Sequence, residues 1–412
     1  MKNSSTIANV VVQADGALVH ALMRVCMHVR GVARTDGRVM REATALVAAG
    51  FDVSIVDVET DTWRTKNENV DGVHLKHIMK PTWLKAAGSK TARVLRTLQK
   101  LVTTTARLCR VPASIYHAHD INALLPCFIA AALRRKRLVF DAHEMPLYQF
   151  AGENGKILNK LIVRFSVSMM RSAAGIITVS PPIIEEMAKR YAISDITLVR
   201  NILPYQTVPA SDRLRQQLKL GPEVRIVLYQ GNLQPGRGLE TLVKTAKFLG
   251  KDIVIVFLGK ECGTTLAELH LLIAQEGVAD RIKILSPVPY EELLSWTASA
   301  DIGAITYSPD FSINAYVQLP NKLFEYLMVG LPILASPLPA IADILTTHTV
   351  GRVLSSLEPS NIAFEINAML ADTVHLAQMK RNALAVARQD LCWEKERQQI
   401  INLYHRLEKT HK

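Results

Sequence analysis

The sequence between Asp301 and Leu345 places two helix starts directly behind two apolar strands. Asp301 to Tyr307 has the pattern of a buried strand, and Leu319-Pro320-Asn321-Lys322 then opens a helix that ends before Gly330. Ile333 to Ala335 begins the second strand, and a proline-rich turn leads into the second helix. The first N–H groups of a helix are unpaired and its dipole is positive there, so this stretch favours a phosphate-bearing ligand.

The same alternation of strand and helix runs through most of the chain, which predicts parallel sheets. The first unit is the strand His20 to Val29, the helix Arg38 to Ala49 and the strand Phe51 to Val58. A proline-bearing polar stretch breaks the alternation before a second series begins at Arg225. We therefore expect an α/β protein of two doubly wound domains facing one another. The predicted divisions are domains at 1–202 and 223–390, a linker at 203–222 and a terminal helix at 391–412.

Length, cysteine content and apolar runs indicate the number of domains and the cellular compartment. Its 412 residues are enough for two ordinary domains. The five cysteines are scattered without a CxxC pair, which indicates a reducing compartment and no metal site. We see no signal peptide, and no apolar run reaches the roughly 18 residues of a membrane span. We expect a cytoplasmic protein, peripheral at the inner face of the plasma membrane.

A basic segment at 76–110 carries much of the net charge of +12, and no acidic residue occurs between Gly72 and His119. Within the segment, one helical face carries Arg93, Arg96, Lys100 and Arg107, and roughly the opposite face carries Leu95, Leu98, Val102 and Leu108. Such a basic amphipathic helix favours docking on anionic lipid, and the alternative is the solvated face of a core helix. A nucleic-acid partner is disfavoured because the segment has one aromatic residue, Trp83, and no binding motif. The basic residues are Lys76, Lys80, Lys85, Lys90, Arg93, Arg96, Lys100, Arg107 and Arg110.

Polar residues recur where apolar strands of the first half end, which is where open parallel sheets bind ligands. The strand ends carry His117-Ala118-His119-Asp120, then His143-Glu144, then Ser180, then Asn201. Gly31 lies in the loop after the first strand, where the chain either passes close to a ligand or simply turns.

In the second half, Gly231 to Gly238 is a glycine-rich turn between a strand and a helix. It has neither the GxGxxG spacing of dinucleotide sites nor the spacing of a P-loop. Arg237 in this turn and Lys322 at the later helix start are candidate cations for a diphosphate. Two such cations could neutralise a departing nucleoside diphosphate without a metal. For Arg237 alone, a plain surface charge is the alternative.

These segments resemble the retaining GT-B glycosyltransferases of the family 4 or group 1 type, which build bacterial surface polysaccharides among other glycans. The resemblance covers most of the chain from about His20. The residues that carry it are DGRVMREATALVAAGFDVSIV, YHAHDINALLP, FDAHE, ITVSPPI, VRN, YQGNLQPGRGLETL and LPNKLFEYLMVGLPILAS. It implies two Rossmann-like domains with a deep cleft, the acceptor bound by the first and the nucleotide sugar by the second. It implies no cofactor and no metal.

The resemblance also implies roles for single residues. Glu325 matches the second glutamate of the family's E-x7-E motif and is expected to hold the donor ribose, whereas the first falls at Val317 and is missing. Arg237 matches a diphosphate-binding cation, whose companion arginine is replaced by Asn232. His119 matches a histidine near the reacting sugar, and Asp120 would orient it or the acceptor. The catalytic candidates are His119, Asp120, Arg237, Lys322 and Glu325. The donor-binding candidates are Gly231, Asn232, Arg237, Gly238, Gly259, Val288, Asn321, Lys322, Leu323 and Glu325. The acceptor-side candidates are Gly31, Arg38, His143, Glu144, Ser180 and Asn201.

The implied reaction is transfer of a hexose, with retention at the anomeric carbon, from a nucleotide sugar to a hydroxyl of a lipid-linked or polysaccharide acceptor. The leaving diphosphate would help to deprotonate that hydroxyl, so no protein nucleophile is needed. Two alternatives stay open: a soluble small-molecule acceptor, and a degenerate sugar-nucleotide-binding subunit without activity. The missing glutamate at Val317 and the neutral Asn232 motivate the second alternative.

Overall fold

The computed structural model describes residues 22–59, 67–79, 90–148, 157–309 and 312–409. Contacts divide the chain into two units. The first comprises Met1–Thr178, Asp195–Thr197 and Gln399–Lys412, and the second comprises Val179–Ser194 and Leu198–Gln398. Among the described residues, no helix has the length and apolar character needed to cross a bilayer.

The first unit is built on an eight-stranded sheet in the order β3-β4-β2-β1-β5-β6-β7-β8. Pairing is parallel from β4 through β7, and β3 joins β4 antiparallel. The strands are β1 Arg24–His28, β2 Asp52–Glu59, β3 Asn67–Val70, β4 Val73–Met79, β5 Ile115–His119, β6 Arg137–Ala142, β7 Gly175–Thr178 and β8 Thr197–Leu198. The helices that precede β8 are α1 Gly37–Ala48, α2 Lys90–Cys109, α3 Ile121–Arg134, α4 Ile157–Arg171 and α5 Pro181–Tyr191.

Helix α1 shows how the local sequence sets an element. The side chain of Asp36 accepts hydrogen bonds from the N–H groups of Arg38 and Val39, each at 3.2 Å, and so caps the helix start. Val39, Ala43 and Leu46 follow at helical spacing and are fully buried. The predicted strand–helix–strand unit is confirmed in β1, α1 and β2, with β1 beginning at Arg24.

The second unit has a six-stranded, wholly parallel sheet in the order β11-β10-β9-β12-β13-β14. Its strands are β9 Arg225–Gln230, β10 Ile253–Leu258, β11 Ile282–Leu285, β12 Ile302–Ile305, β13 Ile333–Ala335 and β14 Gly351–Val353. The remaining helices of the chain are α6 Arg213–Leu218, α7 Leu239–Thr245, α8 Thr265–Glu276, α9 Tyr290–Thr297, α10 Ile313–Val317, α11 Asn321–Met328, α12 Pro339–His348, α13 Pro359–Ala371, α14 Thr373–Gln389 and α15 Trp393–Lys409.

The predicted α/β class with two Rossmann-like sheets is confirmed, and the cleft between them stays a prediction. The sequence pattern missed the β3–β4 hairpin and the short helix α10. The hairpin turn uses Asp71 at φ 52° and Gly72 at φ 82°, a local conformation that apolar periodicity does not report. In α10, Ser312 caps the start by accepting from the N–H of Ala315, inside what we expected to be a plain loop.

Candidate functional site

The glycine-rich turn of the second unit follows β9 and lies against the ends of the two strands that flank it, β10 and β12. Gly238 is the N-cap residue before α7, with φ 77°, and a Cβ atom there would come within 1.9 Å of the carbonyl oxygen of Thr306. A Cβ atom on Gly259, after β10, would come within 1.7 Å of the carbonyl oxygen of Gly231. The turn therefore needs glycine at both positions to pack this closely on β10 and β12.

Lys322 is the second residue of α11 and reaches back over the turn. Its Nζ lies 3.4 Å from the ring centroid of Tyr229 and 5.3 Å from that of Tyr307. The residue is buried, and its Nζ makes no hydrogen bond to any described residue. Burial, together with the nearby charge of Arg237, holds the pKa of the Lys322 amine well below its usual range.

Arg237 is only partly buried and lies beside the same aromatic residue. Its Cζ is 4.5 Å from the ring centroid of Tyr307, so Tyr307 faces both cations. The structure thus brings the two predicted diphosphate-binding cations together, and it adds Tyr229 and Tyr307, which sequence reasoning missed. Tyr229 is the last but one residue of β9 and Tyr307 follows β12, so in the sequence both looked like ordinary core residues at the end of an apolar run.

Glu325, one turn into α11, is buried beside a partner that was also missed. Its Oε2 accepts a hydrogen bond from Nε2 of Gln230 at 2.5 Å, and Oε1 of Gln230 accepts one from Thr297 at 2.8 Å. Burial raises the pKa of Glu325, while the Gln230 amide opposes that rise. Gln230 is the last residue of an otherwise apolar strand, and a polar residue at that position was the available signal.

The other predicted donor-side residues are more varied. Asn321 is the first residue of α11, Asn232 lies in the glycine-rich turn, and both are exposed. Leu323 is fully buried in the core and its N–H donates to the carbonyl of Pro320, while Val288 packs partly buried against the same core. Their roles as donor contacts stay predictions.

Val317, the position at which the resemblance implies a missing glutamate, is completely buried at the end of α10. Its carbonyl accepts a hydrogen bond from the hydroxyl of Ser180. Asn201 in turn donates to Oδ1 of Asn321 at 3.1 Å. Ser180 and Asn201 therefore belong to the second unit, which differs from their predicted place in the first domain.

The first unit gathers a second polar cluster at the ends of β5 and β6. Arg38 on α1 donates to both oxygens of Asp141, at 2.9 and 2.8 Å, and lies 2.9 Å from Oε1 of Glu42. Asp141 also accepts from the rings of His119 at 3.2 Å and His143 at 2.7 Å. Asp141 and Glu42 are not among the predicted site residues. Nothing local connects Arg38 with Asp141 across 103 positions, whereas Glu42 lies four residues after Arg38 on α1 and could have been found from the i,i+4 spacing.

Charges in this cluster compensate one another. Burial favours the neutral forms, but Asp141 and Glu42 keep the pKa of Arg38 above its usual value. Burial opposes ionisation of Asp141 too, yet Arg38 and His143 hold its pKa well below the usual range. Burial would likewise lower the pKa of His143, but Asp141 raises it to about 9. The result is a charged network at the ends of the parallel strands.

Asp120 adds backbone strain to the same place. It precedes α3 with φ 63° and ψ 167°. This backbone conformation is unfavourable for any residue other than glycine, and such strain often marks a functional position. Its Oδ1 accepts from the backbone N–H of His143 at 3.0 Å. A cavity of about 260 Å³ opens here, and Asp120, Asn122 and Glu144 are the polar residues of its wall. The predicted Gly31 is exposed after β1, and its carbonyl accepts from the N–H of Val58.

Four buried groups of this cluster, from Glu42, His117, His119 and Asp141, offer atoms within 4.8 Å of one another and could hold a metal ion. Both oxygens of Asp141 are already shared with Arg38, and that guanidinium also faces Glu42. A metal ion would have to compete with the Arg38 guanidinium for the carboxylate oxygens of Asp141 and Glu42. The expectation that no metal is used stays a prediction.

Family comparison covers both units. The profile described as Glycosyltransferase Family 4 matches residues 36–204, and the profile described as Glycosyl transferases group 1 matches residues 210–386. The chain belongs to this glycosyltransferase family. Its two sheets are those of the GT-B fold.

Among curated relatives, a D-inositol 3-phosphate glycosyltransferase of Xylanimonas cellulosilytica is 26% identical over 198 residues, which is 47% of this chain and 45% of the relative. The chain spans about half the length of the curated relatives it matches.

Solved structures show the same fold over nearly the whole chain. Sucrose-phosphate synthase from Thermosynechococcus elongatus has a TM-score of 0.74 at 17% identity, covering 94% of this chain and all of that one. HepE of Anabaena in complex with UDP-glucose has a TM-score of 0.69 at 17% identity, covering 93% of this chain and 99% of that one.

Proposed function

We propose that the chain transfers a hexose from a nucleoside-diphosphate sugar to a hydroxyl of a lipid-linked or polysaccharide acceptor, with retention at the anomeric carbon. The observation that carries the proposal is Lys322, a buried amine without a hydrogen-bond partner among the described residues, beside Arg237 and one helical turn from Glu325. The phosphate oxygens of a bound diphosphate would accept the hydrogen bonds that the Lys322 amine does not make to the described residues. Uridine diphosphate is our first choice of carrier, because HepE was solved with UDP-glucose.

Each group has a distinct task in this proposal. Glu325, held by Gln230, accepts hydrogen bonds from the ribose hydroxyls. Arg237 and Lys322 face the diphosphate, whose negative charge grows as the bond to the sugar breaks. Cations that are already in position therefore stabilise the transition state more than the bound substrate. The departing phosphate then takes the proton of the acceptor hydroxyl.

The acceptor side of the proposal uses the polar cluster of the first unit. His119 and Asp120 would contact the reacting sugar and the acceptor, while Arg38 holds His119 through Asp141 and His143 contacts Asp120 directly. The cavity beside Asp120 has carboxylates in its wall, which suits sugar hydroxyls as hydrogen-bond donors. The curated relatives are named for a small phosphorylated acceptor, so a soluble acceptor is the alternative.

A membrane surface is the proposed partner of the first unit. Val94, Leu98 and Val102 of α2 are 59%, 51% and 66% exposed, so this part of the apolar face meets solvent, whereas Leu108 near the end of the helix is fully buried. Residues 80–89 of the basic segment, including Trp83, lie outside the described part of the chain.

Helix α3 packs against both α2 and α4, and α4 also carries exposed apolar side chains, Leu161 at 57% and Phe165 at 53%. None of the three helices contains an acidic residue. An apolar face without acidic residues fits a bilayer that contains anionic lipid.

Transfer is tested with a panel of nucleotide sugars, first by thermal shift and then by product analysis. We expect UDP-glucose or a related uridine donor to raise the melting temperature, and NMR of the product to show retention. Lys322→Ala and Glu325→Ala should abolish both effects, whereas Lys251→Ala, which alters an exposed lysine before β10, should not. A wild-type chain that binds no nucleotide sugar would overturn the proposal. Donor binding without any transfer would favour the non-catalytic alternative.

Membrane docking has a separate test with phosphatidylcholine vesicles, prepared with and without phosphatidylglycerol. The wild-type chain should co-sediment only with the anionic vesicles, and the triple change to serine at Val94, Leu98 and Val102 should remove this binding. The matched control replaces Phe364 and Val374 of the second unit, which are 66% and 74% exposed, by serine. Equal binding by the triple variant would contradict the proposed surface.

A further inference from the structure

Two tyrosine rings lie against the cations of the candidate donor site. Lys322 Nζ lies 3.4 Å from the centroid of the Tyr229 ring, and Arg237 Cζ lies 4.5 Å from that of Tyr307. Lys322 is also 5.3 Å from Tyr307, so this ring contacts both cations. The faces of aromatic rings attract cations through their electron density and leave the N–H groups available to bind a further ligand.

Both rings are held by contacts of their own. The Tyr229 hydroxyl donates to the carbonyl of Asn232 at 2.9 Å, which ties the ring to the glycine-rich turn. The ring also meets Phe257 edge-on, with centroids 6.0 Å apart. Tyr307 is 3% exposed. Neither ring can swing away from the cation that it faces without disturbing the packing of β9 or the end of β12.

The chemistry of the rings also matters. Burial raises the pKa of both phenols, so they stay neutral and contribute a ring face without a counter-charge. A carboxylate in the same place would pair with Lys322 and compete with an incoming diphosphate. A neutral ring attracts the ammonium group more weakly, and the ammonium can keep this contact while its N–H groups turn to phosphate oxygens.

We propose that Tyr229 and Tyr307 are positioning residues, which hold Lys322 and Arg237 in place for a diphosphate through the faces of their rings. The inference rests on the proposed function, because it names the groups that hold the diphosphate-binding cations. It assigns to the tyrosines no contact with the reacting atoms.

Inorganic diphosphate is the probe, because it tests the cations without the base or sugar. Calorimetry on the full chain should show that Tyr229→Phe and Tyr307→Phe bind diphosphate nearly as well as the wild type. Tyr229→Leu and Tyr307→Leu should weaken the dissociation constant about tenfold, as expected for loss of a desolvated cation–π contact. Phe257→Leu is the matched control: it loosens the packing behind Tyr229 without touching either cation, and it should weaken binding much less than Tyr229→Leu does.

Phenylalanines of increasing fluorine content at positions 229 and 307 provide the second measurement. Fluorine withdraws electron density from the ring face while nearly preserving the shape of the ring, so affinity should fall stepwise with each fluorine. This series also keeps the test decisive if a leucine variant fails to fold. A flat response across the series, or a loss in Phe257→Leu as large as in Tyr229→Leu, would overturn the inference alone. A wild-type chain that binds neither diphosphate nor UDP would overturn the proposed function and this inference with it.

Discussion

Replacing Gln230 by leucine tests how the candidate ribose-binding carboxylate is held. Leucine is close to glutamine in size, so the change removes the amide and leaves little cavity. Glu325 loses its partner at 2.5 Å and stays buried. Thr297 loses the acceptor on Gln230 but keeps its hydrogen bond to the carbonyl of Leu293 at 2.8 Å.

The expected loss of stability follows from the different fates of Glu325 and Thr297 in the variant. A hydrogen bond to a charged group contributes about 1.5–3 kcal/mol, and an unpaired buried carboxylate is costlier than an unpaired hydroxyl. We therefore expect Gln230→Leu to lower the free energy of unfolding by about 2–3 kcal/mol at neutral pH, mostly through Glu325.

The stability lost in Gln230→Leu should depend on pH, and the direction of this dependence follows from the pKa of Glu325. Burial raises the pKa of Glu325 and the Gln230 amide lowers it, so removing the amide raises this pKa further. The neutral carboxyl tolerates burial better than the charged one. The destabilisation should therefore be largest above the pKa of Glu325 in the variant, and it should shrink as pH falls and the carboxyl takes up a proton.

Urea unfolding of the wild type and the variant at several pH values measures both effects. Thr297→Val is the control, because it removes a neutral partner of Gln230 and should cost about 0.5–1.5 kcal/mol with no marked pH dependence. Affinity for UDP should fall in Gln230→Leu as well. The reasoning is refuted if Gln230→Leu costs no more than Thr297→Val, or if its cost grows as pH falls.

Two further predictions concern the same site. Because the pKa of Lys322 is held low in the free protein and a bound diphosphate raises it, binding should take up a proton, and affinity should fall as pH rises between the two pKa values. Calorimetry in buffers of different ionisation enthalpy measures this uptake, which should be absent in Lys322→Arg; heats that do not depend on the buffer would contradict it. Gly238→Ala should lower the free energy of unfolding by at least about 1–3 kcal/mol from backbone strain at φ 77°, with a further cost from the clash at Thr306. Chemical denaturation measures that loss, and wild-type stability in the variant would show that the turn is not packed as described.

The arrangement of elements could be predicted well from the sequence, because it depends on local patterns. The glycine-rich turn, the start of α11 and the polar ends of β5 and β6 are all visible within short windows. The segments that carry the family resemblance are also local, and the family is confirmed. The β3–β4 hairpin, in contrast, could not be predicted, since its turn geometry leaves no apolar periodicity.

Partners distant in sequence could not be predicted in this way. His117 meets the hydroxyl of Tyr404, 287 positions away, at 2.8 Å, and Arg38 meets Asp141 across 103 positions. Solvent exposure is another example: Val94, Leu98 and Val102 have the spacing of a packed helical face, yet that face is exposed.

The sequence by itself determined that two helix starts follow two strands between Asp301 and Leu345, because propensity, capping and periodicity act over a few residues. Only the tertiary structure decided what surrounds Lys322 and Glu325. Tyr229 and Gln230 come from a strand more than 90 positions earlier, and parallel pairing of β9 with β12 brings them beside α11. That pairing is set by the burial of whole strands, which no local window contains.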